Sequence, residues 1–292
     1  MLLQHKNHPP VTALPAGVQA FVGAGEAVDA RQPVLTLQVG SELDPGITRR
    51  QEPNEDTLSV IRGVIPITPL KPFVLLLVAD GMGGQADGQE ASRLAVELLA
   101  TYMSDALHVS QATPETFLHL VRAGVQYANQ VLYQRNQEQC SDMGTTLTAA
   151  LIVDTTAYVA HVGDSRCYLY REPTGLSQLT QDHSLVAALV AAGIIQPEDI
   201  YTHPRRNLIY RCLGEKPHVE VDTSAVPLAA GDMLLLCSDG LWEMVRDPQI
   251  AAILASPVPN PACTAHALIQ AALAGGGEDN ISALVAWASG VR

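Results

Sequence analysis

An α+β fold with largely antiparallel sheets is the architecture this sequence predicts, and three observations predict it. Strand-like apolar runs come in groups, a pair of helical segments follows the first group, and strict strand–helix–strand alternation is absent. The chain has 292 residues, enough for one large domain with a sizeable core or for two small ones. Hydrophobic residues make up 47% and charged residues 16%, a globular composition.

Taken in order, residues 1–33 carry several prolines and no period, so an irregular N-terminal extension is expected, with the folded domain at 34–292. "PVLTLQVGS" (33–41) reads as a first strand, "DTLSVI" (56–61) as a second and "FVLLLVAD" (73–80) as a third. Two helical segments follow. Residues 90–103 place Leu94, Leu98 and Met103 near one face. Residues 113–135 open with Thr113 as a cap and Pro114 in the first turn. Phe117, Val121, Val125, Ala128 and Leu132 then recur at helical spacing, as a helix packed on a sheet requires. Strands return at 146–153, 157–164, 167–171, 232–239 and 281–287, with helical or irregular pieces at 184–195, 248–256 and 261–274. The sequence shows no internal repeat.

The formal net charge of −13 argues against a nucleic-acid binder, which needs a basic face to neutralise phosphates. It reads either as a solubilising acidic surface or as acids gathered on metal ions. No apolar run has the length of a membrane span, and "MLLQHKNHPP" lacks the apolar core of a secretory signal. A soluble cytoplasmic protein is expected. Its cysteines, Cys140, Cys167, Cys212, Cys237 and Cys263, form no C-x-x-C pair and are odd in number, so neither a disulfide framework nor a thiolate zinc site is expected.

The acids are distributed in a telling way. In "VLLLVADGMGGQADG" (74–88) an apolar strand runs into Asp80, and four glycines follow it: Gly81, Gly83, Gly84 and Gly88. Asp164 ends another strand after Gly163, and Asp239 ends a third before Gly240. Asp279 precedes the strand "ISALVAW", and Glu55 and Asp56 precede "TLSVI". One Asp-Gly is an ordinary turn. Five strand ends carrying acids would crowd mutually repelling carboxylates at one edge of a sandwich. A hard divalent cation with oxygen ligands removes that repulsion. The glycines let backbone approach, so the Gly81 carbonyl is also a candidate ligand.

These motifs resemble the metal-dependent serine/threonine protein phosphatases of the protein phosphatase 2C family, in their bacterial form. The matching pieces are "DPGITRRQEPNED" (44–56), "VADGMGG" (78–84), "GTT" (144–146), "HVGDSRCYLY" (161–170), "LTQDHS" (179–184), "LIYRCLG" (208–214), "CSDGLWEMV" (237–245) and "EDNISALV" (278–285), in the family's order. The resemblance implies a four-layer α/β–β/α sandwich with two Mn²⁺ or Mg²⁺ ions between the sheets at one edge, and a flap over about 185–207. It implies that Asp80 bridges the two ions, that Glu55 and the Gly81 carbonyl serve one, and that Asp239 and Asp279 serve the other. Asp56 would bind through water, and Asp164 with Asp239 would hold a weaker third ion. Thr145, Thr146, Asp182, His183 and Ser184 would be structural, His161 packed, and Arg166 a turn-holder or the partner of an acid. A metal-bridging hydroxide would attack phosphorus in line with the leaving serine or threonine oxygen, so no nucleophilic cysteine or histidine is required. Phosphoproteins, among them a Ser/Thr kinase, would be the partners of a monomeric enzyme.

Three positions depart from the family pattern. The spacing from arginine to Asn54-Glu55-Asp56 is longer than R-x-x-N, which leaves both Arg49 and Arg50 as candidates for the phosphate. Arg49 is preferred, because an insertion of even length in an extended strand keeps it facing with Glu55. Met82 stands where eukaryotic members carry a histidine proposed as general acid, and it cannot donate a proton. Glu243 stands where many members carry an aspartate near the third ion. Two alternatives remain at this stage: a phosphatase of the same fold acting on an anti-sigma antagonist in partner switching, and a catalytically inactive binding module.

Overall fold

The computed structural model describes residues 35–83, 86–109, 113–256 and 260–290. The expected extension at 1–33 lies outside them. Two sheets face each other. One runs in the order β1 (Leu35–Asp44), β11 (Ile281–Gly290), β10 (Met233–Cys237), β7 (Arg166–Arg171), β8 (Gly175–Gln178). The other runs β2 (Asp56–Ile65), β3 (Lys71–Met82), β5 (Leu147–Val153), β6 (Thr156–Val162), β9 (Asp222–Pro227), with the short β4 (Gly144–Thr145) paired to the end of β3. Every strand pairing among the described residues is antiparallel.

Three apolar clusters hold the layers together. Val74, Leu76, Val78, Leu234, Leu236 and Leu284 meet between the sheets. The alternate residues of β3, Phe73, Leu75 and Leu77, face the other way, onto α1 (Ala86–Val109) and α2 (Pro114–Gln139). On the far side α5 (Asp247–Leu254) and α6 (Pro261–Gly275) cover β10 and β11 through Ile250, Leu254, Leu268 and Ile269. Strand β3 is thus apolar on both faces, which is why its sequence reads as a continuous run rather than an alternation. The result is helices, sheet, sheet, helices: the expected sandwich.

The second helix follows its sequence pattern closely. Thr113 caps it by accepting from the Thr116 amide at 3.2 Å, Pro114 opens it, and Phe117, Val121, Val125, Ala128 and Leu132 are all buried. The first helix is turned relative to expectation. Its fully buried row is Ala91, Ala95, Leu99, Met103 and Leu107, four apart, while Leu94 and Leu98 are only partly covered. Small alanines let the helix sit close on the sheet, so the larger leucines flank the contact instead of making it. Segment 185–207 consists of α3 (Leu185–Ala191), a turn and a short 3₁₀ helix (Pro197–Tyr201), closed at its base by a bridge between Ser184 and Ile209. No described helix is long and apolar enough to cross a membrane.

Candidate metal centre

Antiparallel register places the acids. Asp56, at the start of β2, is paired directly with Asp80 near the end of β3. The next strand over begins at the same edge, with Thr148 of β5 opposite Val78, and β6 ends there, with Val162 opposite Leu147. In the facing sheet β10 ends at Cys237, opposite Ala283 near the start of β11, and Asp44 of β1 is opposite Ile281. Glu55, Asp56, Asp80, Asp164, Asp239 and Asp279 therefore leave both sheets at one edge, as the sequence reading expects. Asp239 is not the last residue of its strand. It opens a single helical turn, α4 (Asp239–Trp242), which carries Glu243 towards Asp164 and Asp239.

Four of these acids are held from behind, directly or through the adjoining loop. The Asp80 amide donates to Thr146 Oγ1 at 2.9 Å, and its carbonyl accepts from the Thr145 hydroxyl and the Thr146 amide, both at 2.8 Å. Asp56 Oδ2 accepts from the hydroxyls of Ser238 and Ser282, each at 2.6 Å, and the Glu55 amide donates to Asn280 Oδ1 at 2.7 Å. These three bonds also tie one sheet to the other. The loop before Asp164 is clamped reciprocally: the Gly163 amide donates to His183 Nδ1 at 3.0 Å and the His183 amide donates to the Gly163 carbonyl at 2.7 Å. Gly163 has φ +111°, the left-handed region that glycine enters freely. Thr145 and Thr146 are thus supports of Asp80, and His183 is a support of Asp164.

The nearly bare loop after Asp80 has a steric cause. A β-carbon on Gly81 would stand 1.9 Å from the Gly88 carbonyl oxygen, and one on Gly88 would stand 2.6 Å from Glu55 Oε1. Only glycine at both positions lets the first turn of α1 press against the carboxylate edge.

The field at this edge is strongly negative. Burial, and then the charges of Asp239, Asp56, Asp164 and Asp279, push the Asp80 carboxyl well above the usual carboxylate range. Burial, followed by Asp164, Asp279, Glu243 and Asp56, does the same to Asp239. Burial raises Asp164 to about 7, with Asp182 and Glu243 adding to it. Asp56 is pushed to about 6 by burial, against the two serine hydroxyls that favour its charged form. Glu243 is raised by burial, although Arg206 Nε bonds its carboxylate at 3.0 Å and opposes the rise.

Among the described residues three buried side-chain oxygens have no hydrogen-bond partner: Glu55 Oε1, Asp56 Oδ1 and Asp239 Oδ1. A buried polar atom without a partner is costly, and three carboxylate oxygens at one edge are placed for a cation to satisfy them. Part of that need is met from within. Arg49 Nη1 donates to Asp279 Oδ1 at 2.5 Å, and Nη2 bonds Glu55 Oε2. Burial works against the Arg49 charge, but these two bonds outweigh it and raise its pKa. Among the described residues no three acid, histidine or cysteine side chains are closed into ready ligating geometry, and the Arg49 guanidinium lies between two of the expected ligands.

The grounds for preferring Arg49 over Arg50 need correcting. Residues 46–52 form turns and a bend, not an extended strand, so alternation along a strand does not orient Arg49. The turns nevertheless bring Arg49 onto Glu55. Arg50 is exposed, with no ion pair among the described residues. Ser238, Ser282, Asn280 and Arg206 went unread as site residues. The serines and the asparagine stand within "CSDG" and "EDNIS", and their positions beside Asp239 and Asp279 were the available signal.

All the donors at this edge are oxygens, a set suited to Mg²⁺ and Mn²⁺ rather than to softer ions. Together with the three unpartnered carboxylate oxygens, it fits a centre for hard divalent cations. Residues 46–273 match the family described as Protein phosphatase 2C, and the chain belongs to that family. It is 44% identical over 215 residues to the serine/threonine phosphatase stp of Listeria welshimeri, covering 72% of this chain and 83% of that protein. The structure of the S. agalactiae serine/threonine phosphatase superposes with a TM-score of 0.77 at 30% identity, covering 86% of this chain and 99% of that one. The catalytic domain of the serine/threonine protein phosphatase PstP, crystallised with two manganese ions, superposes with a TM-score of 0.72 at 36% identity, covering 87% of this chain and 99% of that one.

Proposed function

We infer that this chain is a metal-dependent phosphoprotein phosphatase that hydrolyses phosphoserine and phosphothreonine. The observation that carries the reading is the set of three partnerless buried carboxylate oxygens on an all-oxygen edge, in a chain whose structural relative holds two manganese ions. Glu55, Asp80, Asp239, Asp279 and the Gly81 carbonyl would hold two Mn²⁺ or Mg²⁺ ions, with Asp56 reached through water and Asp164 and Glu243 serving a third. Bound there, the ions supply water activated near neutral pH and positive charge facing the phosphoryl group.

The chain's own residues do the rest. Thr145, Thr146, Ser238 and Ser282 hold Asp80 and Asp56 rigid, so the centre reorganises little during reaction. The Arg49 fork has the shape to take two phosphoryl oxygens once its carboxylate partners are balanced by other charge. Met82 moves no proton. Burial pushes the thiol of Cys167 up to about 12 and that of Cys237 well above the usual thiol range, so neither is a nucleophile at neutral pH.

Segment 185–207 acts as a flap beside this edge, within a catalytic domain spanning 34–292. The substrates include a Ser/Thr kinase, and the enzyme works as a monomer in the cytoplasm. The free cysteines suit a reducing compartment. The relatives named serine/threonine phosphatase favour this reading over the partner-switching alternative, and the intact acids speak against an inactive module. The test is turnover of a phosphothreonine peptide with Mn²⁺, with EDTA and after Mn²⁺ is restored. Full activity in chelator, or none with metal, overturns it.

A further inference from the structure

The two segments that border the metal edge carry an unusual surface. Eight large hydrophobic side chains are exposed among the described residues, and five of them lie on these segments: Leu43 and Ile47 on one, Ile194, Leu208 and Tyr210 on the other. Ile47, Leu208 and Tyr210 are about half exposed, at 50%, 53% and 47%. Scattered surface hydrophobics mean little, but Ile47 bonded to Gly277 and Tyr210 bonded to His183 tie these two segments to the borders of the site, which points to an interaction surface.

The same segments carry cations that the fold does not use. Arg49, Arg93, Arg166, Arg171, Arg206 and Arg211 all form ion pairs with carboxylates. Arg50 and Arg205 are exposed and have no such partner among the described residues. Their placement is set by their neighbours. The Ile47 amide donates to the Gly277 carbonyl at 2.8 Å, and Arg49 reaches Asp279 at 2.5 Å. Arg206 reaches Glu278 at 3.0 Å. Both segments are therefore anchored on the 277–279 turn, and Arg50 and Arg205 each stand one residue from an anchor. In a chain of net charge −13, these two exposed guanidinium groups flank an acid-rich site, whereas Arg62, Arg122 and Arg246, which also lack a carboxylate partner among the described residues, bond a carbonyl or hydroxyl of the fold instead.

We propose that segments 43–50 and 194–210 form a docking surface for the polypeptide around the phosphorylated residue, on which Arg50 and Arg205 recognise a second anionic group close to the scissile phosphate. The occupant is a phosphopeptide whose flanking residues are apolar and acidic. The anion is a carboxylate or another phosphate, both of which match a guanidinium fork. This inference rests on the phosphatase reading and adds its substrate class.

The experiment compares three phosphothreonine peptides of equal length on the manganese-loaded enzyme: one with alanine flanks, one with a flanking glutamate and one with a flanking second phosphothreonine. The wild type should turn over the anionic peptides with a kcat/KM about three- to tenfold above the neutral one, the range set by one or two exposed ion pairs. Arg205→Glu should reduce that ratio to one or below, chiefly through KM, and Arg205→Gln should give an intermediate ratio. Leu208→Ser should lower kcat/KM for all three peptides by a similar factor while the anionic ratio stays. The glutamate and phosphate arms show which anion is preferred. Unchanged ratios in the Arg205 variants, with robust turnover, overturn the docking inference alone. Absence of turnover on every peptide and on p-nitrophenyl phosphate overturns the phosphatase reading and this inference with it.

Discussion

Two buried charged clusters lie close together in this molecule and are built oppositely. Arg166, at the start of β7, is 3% exposed and Asp182 is 6% exposed. Arg166 Nε and Nη2 donate to the Asp182 carboxylate at 2.6–3.1 Å, Nη1 donates to the Tyr168 hydroxyl at 2.8 Å, and the guanidinium stacks 3.6 Å from the Trp242 ring. Gln178 adds a further bond to Asp182 at 2.9 Å. Beside it, burial pushes His161 down to about 3, so it stays neutral, packed 4.9 Å from the His183 ring. In the carboxylate cluster around Asp80, by contrast, like charges face each other and three oxygens lack a partner. A polar cluster satisfied from within holds a fold in place. One left unsatisfied stores a demand that a ligand meets, and folding alone does not relieve it.

The sharpest way to break this contrast is to remove one charged side chain from each cluster. Asp239→Ala should lower kcat for a phosphothreonine peptide by several orders of magnitude, while the metal-free protein keeps or gains melting temperature because one repelling charge is gone. If the variant keeps more than about a tenth of wild-type kcat, a loss under about 1.4 kcal/mol, Asp239 holds no essential ion. Arg166→Ala should act in the opposite sense. It leaves Asp182 buried without its cation and should cost about 3–5 kcal/mol of stability, as broken buried pairs do. Denaturant melts measure it, and a cost below about 1 kcal/mol would show that water replaces the guanidinium.

A pH series sharpens the same comparison. Asp56 and Asp164 are raised in the folded state to about 6 and about 7. Between their unfolded values and these, the native metal-free protein binds more protons than the unfolded chain. Its stability is therefore fully present at low pH within this window and is lost as pH rises through the folded values. In EDTA the melting temperature should fall between about pH 4 and 7 on this linkage. With Mn²⁺ the slope should flatten or reverse, because the ions bind the deprotonated acids. A flat EDTA profile would show that Arg49 already neutralises the cluster.

The smallest effect concerns the arginine that links the two behaviours. Arg49→Lys should lower kcat/KM for a phosphopeptide by about tenfold, since lysine cannot copy the fork, whereas Arg50→Lys should leave p-nitrophenyl phosphate turnover less affected than Arg49→Lys does. The reverse ranking would place Arg50 on the phosphate.

Much of this was legible in the sequence because it depends on local pattern. The continuous apolar run of β3 announced a buried strand, and the Thr113–Pro114 start with its helical spacing announced α2. Acids at the ends of apolar runs marked the candidate site. What escaped were elements whose signals are weak by nature. Strands β8 and β9 lie at the outer edges of their sheets, β8 with four residues and β9 with a mixed burial pattern ending in Pro227, so neither shows a clean period. The rotation of α1 also escaped, because alanines at the contact carry less apolar signal than the leucines beside it.

The division follows from the range of the forces involved. Periodicity, capping and the run of motifs are properties of neighbours along the chain, and by themselves they determined the fold class and the family and singled out the candidate acids. Which oxygens of Glu55, Asp56 and Asp239 lack a partner, how Ser238 and Ser282 reach across from the facing sheet to Asp56, and why Arg49 rather than Arg50 turns inward were decided only by the tertiary structure. Hydrogen bonds and charges act over a few ångströms between residues as far apart in the chain as Asp56 and Ser282, and only the packing of two sheets brings such pairs within reach.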